Sequence, residues 1–145
     1  MIDAKLIHPQ ILGALGKAGH GATILIPDGN YPVATNAHPR AERVYLNLAP
    51  GMVTVTDVLE AILSVTPIEA AQVMRRDDGA EPSIYADFRR LLPDDVDLSP
   101  LERFAFYDEA KKDSCCLVIA TGEQRIYANI LLTIGVVPPP ADQAV

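Results

Sequence analysis

Apolar and polar positions along the chain switch between two periods, one helical and one of strand type. Ile11, Leu12, Leu15 and Ala18 recur at helical spacing and stop at Gly19, which predicts a first helix within residues 8–18, with His8 ahead of Pro9 helping to start it. "ATILIPD" (residues 22–28) then reads as a short buried strand, and "GNYP" as its turn, with Gly29 and Asn30 able to take positive φ. In "ERVYLNLAPG" Val44, Leu46 and Leu48 alternate with Tyr45 and Asn47, the pattern of a second strand ended by Pro50 and Gly51. "TVTDVLEAILSV" predicts a helix capped by Thr54 or Thr56, with Val58, Leu59, Ile62 and Leu63 as its apolar stripe.

Further on, "PIEAAQVMRR" is read as a third strand, although its middle tolerates a helix equally well. "PSIYADFRRLL" places Pro82 at a helix start and Ile84, Tyr85, Phe88, Leu91 and Leu92 on one face. "PDDVDLSP" reads as a polar linker. Ser99 and Glu102 form a capping-box pattern around Pro100, so the next helix is expected to begin at Ser99 and run through "RFAFYDEA". "SCCLVIATGE" is a buried strand ending at Thr121-Gly122, and "YANILLTIGVV" contains the last strand, on which Tyr127 and Asn129 would face the same side. The alternation of strands and helices predicts one α/β domain over residues 1–137, a mainly buried central sheet flanked by helices. The Pro-rich tail, residues 138–145, should lie loose or extended.

Composition narrows the function classes. With 145 residues, 49% of them hydrophobic and 21% charged, the chain is an ordinary globular protein able to bury a core. A formal charge of -7 argues against nucleic acid, which needs clustered Lys and Arg, and the pairs Arg75-Arg76 and Arg89-Arg90 are accompanied by Asp77, Asp78 and Asp87. No apolar run is long enough to insert into a membrane, and the start lacks a secretory pattern, so a cytoplasmic location is expected. Cys115 and Cys116 are adjacent, point to opposite faces of a strand, and are expected to pack as free thiols. His8, His20 and His38 fit no metal-ligand spacing, so no metal is expected.

No phosphate-binding, dinucleotide, metalloprotease or serine-hydrolase motif is present. Three separated pieces carry a signal of another kind: "GHG" (residues 19–21) followed by Asp28 and Pro32, then "RFAFYDEA" (residues 103–110), then "TGEQRIYANILLTIGV" (residues 121–136). In order and spacing they resemble the D-ribose pyranase and L-fucose mutarotase family over nearly the whole chain, and the fucose branch more than the ribose branch. The chain departs from that branch at Ala22, Thr23, Pro27, Tyr31, Gln124 and Arg125.

The resemblance implies a ribose-pyranase-like fold and a cofactor-free isomerase, a mutarotase acting on L-fucose or a related pyranose. It implies His20 as the proton donor, Asp28 as its orienting partner or as an anchor for sugar hydroxyls, and Arg103, Tyr127 and Asn129 as substrate contacts. Such chemistry opens a cyclic hemiacetal and recloses it, which takes one acid and one base, and a histidine titrates in the useful range. The resemblance further implies a homo-oligomer, pentamer or decamer, with sites shared between subunits. Two other functions remain open on the same residues: a non-catalytic sugar-binding or regulatory protein of sugar uptake, and a ribose pyranase.

Overall fold

The computed structural model of the chain describes residues 1–143. Helix α1 (Pro9–Lys17) is capped by His8, whose Nδ1 accepts from the Ile11 N–H, and Pro9 occupies the first turn, where its missing N–H costs nothing. Strand β1 (Thr23–Ile26) follows, then β2 (Glu42–Tyr45). Thr54 and Asp57 close a reciprocal capping box at the start of α2 (Val55–Leu63). β3 (Ile68–Met74) takes the strand alternative for its segment, and α3 (Ile84–Leu91) begins after Ser83, two residues later than Pro82 had suggested.

The next segment corrects the sequence reading. Residues Leu98–Leu101 form strand β4, and helix α4 (Arg103–Ala110) starts only after Glu102. Glu102 is the cap itself, its carboxylate accepting from the Phe104 and Ala105 N–H groups. β5 (Cys115–Ala120) and β6 (Ile130–Ile134) complete the sheet. The proline-rich tail contains a 3-10 turn at Ala141–Gln143, while residues 144 and 145 of the expected loose tail lie outside the described residues.

The six strands lie in the order β2-β5-β1-β6-β3-β4. β2, β5 and β1 run parallel, as do β3 and β4, and β6 is antiparallel to both β1 and β3. β1 and β3 therefore start at the same edge of the sheet and finish at the opposite one. Alternation along β1 divides the core into two layers. Ile24 and Ile26 join α1, α2 and α3 through Ile11, Leu59, Ile62, Ile84 and Phe88, whereas Leu25 faces Phe106 of α4 and Tyr31. Cys115 and Cys116 are free thiols packed into these opposite layers. The second strand is shorter than its apolar alternation, because Leu48 has already turned outward and is 83% exposed. Among the described residues no helix is long and apolar enough to cross a membrane.

Candidate active site

A cavity of about 270 Å3 opens where β1, β3 and β4 end and β6 begins. Parallel strands of an open α/β sheet leave such a crevice at their carboxyl ends. Asp28, Asn30 and Tyr31 reach it from the turn after β1, Met74 from the end of β3, and Arg103 and Tyr107 from the first turns of α4. Ile126, Tyr127 and Asn129 close it from the segment before β6. Asp28, Arg103, Tyr127 and Asn129, which lie up to 101 residues apart in sequence, thus line one pocket.

Asp28 is 5% exposed. Burial raises its pKa, against the hydrogen bonds its carboxylate receives from the Asn30 N–H and from Asn129 Nδ2. Asn129 is equally buried, and its Oδ1 accepts from the Asp28 N–H at 2.7 Å. The two side chains hold each other across the β1–β6 boundary, so the amide of Asn129 is largely committed to Asp28. Tyr127 is not on a strand. It precedes β6 in the left-handed region, φ 63°, which is uncommon for a residue with a side chain and turns the phenol into the cavity alongside Asn129. Arg103 lies over the Phe104 ring at 5.1 Å, and Asp108 contacts Lys111.

Tyr31 backs the pocket. Its hydroxyl donates to the Asn36 carbonyl at 2.6 Å, and its ring meets Phe106 and Tyr107 edge-on. Burial pushes its pKa far up, so this phenol serves as a fixed neutral donor. Arg43 holds the loop that supplies Asn36 by donating to the carbonyls of Val33, Ala37, His38 and Ala41.

Sequence reasoning overlooked the support beneath Tyr127. Glu123, 4% exposed, accepts from the Val55 N–H at the start of α2 and from the Arg125 main chain and guanidinium. Burial alone would raise its pKa, but those donors outweigh it and hold the carboxylate below the usual range. Arg125 also reaches Asp87 of α3 at 2.8 Å. Two neighbouring charges of opposite sign in "GEQR" were the available signal.

His20 is elsewhere. It sits in the turn before β1, at the opposite end of that strand from Asp28, and the four residues of β1 span roughly 10 Å. Its Nε2 lies 3.0 Å from both carboxylate oxygens of Glu69, beside a second cavity of about 390 Å3 lined by Leu12, Leu15, Val65 and Val137. One chain therefore does not join His20 to Asp28. The other two histidines serve separate partners: His8 caps α1 and His38 contacts Asp113.

Residues 1–137 match the RbsD / FucU transport protein family. The fucose mutarotase of Danio rerio is 34% identical, an alignment that covers 93% of this chain and 92% of that protein. The crystal structure of the fucose mutarotase from Streptococcus pneumoniae in complex with L-fucose superposes with a TM-score of 0.79 at 30% identity, covering 94% of this chain and 99% of the other. Bacillus subtilis RbsD, solved with D-ribose, shares the fold at the same TM-score and coverage with 23% identity.

Proposed function

We propose that this chain, which belongs to the RbsD / FucU transport protein family, is a monosaccharide mutarotase whose working site forms between two copies. Its working unit is one domain, residues 1–137, followed by the Pro-rich segment 138–145, and it acts in the cytoplasm. The substrate is L-fucose or a related pyranose, the sugar that the Danio rerio and Streptococcus pneumoniae relatives are named for. The observation that carries the shared site is the separation of His20 from the cavity that holds Asp28, Arg103, Tyr127 and Asn129.

In this reading the cavity of one copy binds the sugar and an adjacent copy brings His20 to its mouth. Asp28 takes the proton of the anomeric hydroxyl as the bond between the anomeric carbon and the ring oxygen breaks, and His20 protonates that oxygen. Rotation about the bond next to the aldehyde presents its other face. On closure the ring hydroxyl adds to the aldehyde and returns its proton to His20, while Asp28 gives its proton back to the new anomeric oxygen. Burial makes Asp28 a stronger base, closer to the working pH, which favours this transfer. Asn129 holds Asp28 in place and offers the sugar its remaining capacity, and Arg103 and Tyr127 supply donors to ring hydroxyls.

Complementation between inactive variants tests both halves. Saturation-transfer NMR on equilibrated L-fucose should show anomer exchange above the buffer rate for the native chain. His20→Ala and Asp28→Asn should each remove it, by about 100-fold or more. When the two variants are refolded together, about one site in four pairs an intact His20 with an intact Asp28 and exchange returns. If the native chain leaves fucose, ribose, galactose and rhamnose at the buffer rate, the mutarotase reading falls and a sugar-binding role replaces it. If the mixture stays silent while the native chain is active, the shared site falls alone.

A further inference from the structure

We propose that the chain carries a glycosyl subsite beside the Asp28 cavity, so that its substrates include reducing disaccharides. The reducing-end residue sits at Asp28, and the neutral sugar linked to it sits against Asn30, Asn47 and Gln124. The placement of the reducing end rests on the mutarotase reading above.

A cleft of about 420 Å3 lies where the parallel strands β1, β2 and β5 end, next to the cavity that holds Asp28. Asn30 lines both, so the two are neighbouring stretches of one crevice along the carboxyl edge of the sheet. The cleft is the larger of the two and falls within the ~300–1,000 Å3 that ligand pockets occupy. Its walls are fastened by the main chain to the loop 121–124. On one side the Gly29 N–H donates to the Glu123 carbonyl at 2.9 Å; on the other the Gly51 N–H donates to the Gly122 carbonyl at 2.6 Å. Thr121 adds a third tie, its hydroxyl donating to the Pro27 carbonyl at 2.7 Å. The cleft is thus preformed, which lowers the cost of binding.

The lining selects a neutral polyol. Asn30, Asn47 and Gln124 come from three separate segments, and their carboxamides have no hydrogen-bond partner among the described residues; Asn30 engages Asp28 through its main-chain N–H alone. A carboxamide both donates and accepts, as a sugar hydroxyl does. Gln124 reaches toward the 49–52 turn, its Oε1 3.5 Å from where a Cβ on Gly51 would stand. Ala49 and Pro50 add an apolar platform for the C–H face of a pyranose. No Lys, Arg or His lines the cleft, and its one ionisable side chain, Glu123, is engaged by Val55 and Arg125, so a phosphate or carboxylate finds no counter-charge there. In a linked pair only the reducing-end ring keeps an anomeric hydroxyl. The glycosidic bond is an acetal with no proton for Asp28 to take, so it stays closed while the reducing end opens.

Saturation-transfer NMR on the β-D-galactosyl-L-fucoses linked at O2, O3 and O4 should show anomer exchange above the buffer rate for at least one linkage, with a KM below that of L-fucose. For that disaccharide Asn47→Ala and Gln124→Ala should each lower kcat/KM, taken relative to L-fucose, about 5-fold, and the double variant about 20-fold. A native chain that exchanges L-fucose but leaves every one of these disaccharides at the buffer rate overturns the inference and spares the mutarotase reading. So do folded variants in which the ratio stays native. Asn47-dependent binding of methyl β-D-galactoside without disaccharide exchange makes the cleft a separate sugar site and equally overturns the linked substrate. If the native chain exchanges neither L-fucose nor a disaccharide, the mutarotase reading falls, and titration calorimetry decides the subsite. Binding of a galactosyl-fucose that is tighter than that of L-fucose and weakened by Asn47→Ala supports it; equal binding overturns it.

Discussion

Asp28 is where the proposed chemistry and the stability of the fold pull against each other. Its pKa in the fold lies above its value in the unfolded chain because burial disfavours the charged form. The stability Asp28 contributes is therefore fully present below the unfolded value and is lost as pH rises through the folded one. Asp28→Asn does not titrate and carries only a constant penalty for its altered pairing with Asn129. The urea midpoint of the variant should accordingly gain on that of the native chain as pH rises above 3.8, the ordinary aspartate value, and through the raised value of the fold. A difference that is flat with pH, or that moves the other way, removes the argument that burial tunes this carboxylate. Asp28, Arg103, Tyr127 and Asn129 were legible in the sequence because resemblance marked them. Glu69 and Glu123 were not, since their partners are chosen by strand order and by a bulge, neither of which leaves a local pattern.

Strand β4 and helix α4 show how two valid local signals can compete. Ser99 with Glu102 matches a capping box, and Pro100 suits a first helical turn. Yet the open edge of β3 takes Leu98–Leu101 as a parallel partner, and Pro100 is tolerated because β4 is itself the outer strand. The helix then starts one turn later, which places Arg103 at the rim of the cavity. The strands buried on both faces were legible from their apolar runs, and the edge strand β2 from its alternation; β4 was not, because its four residues carry helix-start signals instead. The loop 121–127 depends on a comparable tertiary match. Gly122 packs so closely that a Cβ would lie 2.3 Å from the Ala49 carbonyl oxygen, and the Glu123–Arg125 pair ties the loop to α2 and α3. Arg125→Met strips the guanidinium from a buried carboxylate and should cost about 2–4 kcal/mol in urea unfolding. It should also raise KM by loosening Tyr127. Native stability in that variant would mean that the loop is held by the main-chain contacts of Gly122 alone.

The surface of the molecule carries two different apolar regions, and their difference bears on how copies meet. Beside His20 stand Val65 and Val137, 44% and 76% exposed; at the Asp28 cavity stands Ile126, 67% exposed, and Phe104, 60% exposed, packs edge-on against the lining Tyr107. A two-fold dimer would need both regions within one self-complementary patch, although they lie at opposite ends of β1. Bringing His20 to the cavity joins unlike surfaces, and such head-to-tail contacts close into rings when the rotation permits. The homo-oligomer that the family resemblance implies, a pentamer or a decamer, would use contacts of this kind within its rings. Val137→Asp and Phe104→Asp place a charge on one surface each, where a single chain would tolerate it within about 0.5 kcal/mol. Each variant should keep native circular dichroism, sediment as a smaller species than the native protein, and lose anomer exchange in step with the loss of mass. Because each spoils only one of the two surfaces, a mixture of the variants can form isolated pairs through its intact faces but cannot close a ring. Light scattering on that mixture should give dimers. If the mixture instead recovers the native mass, the contacts are not head-to-tail, and His20 must reach the sugar by some other route.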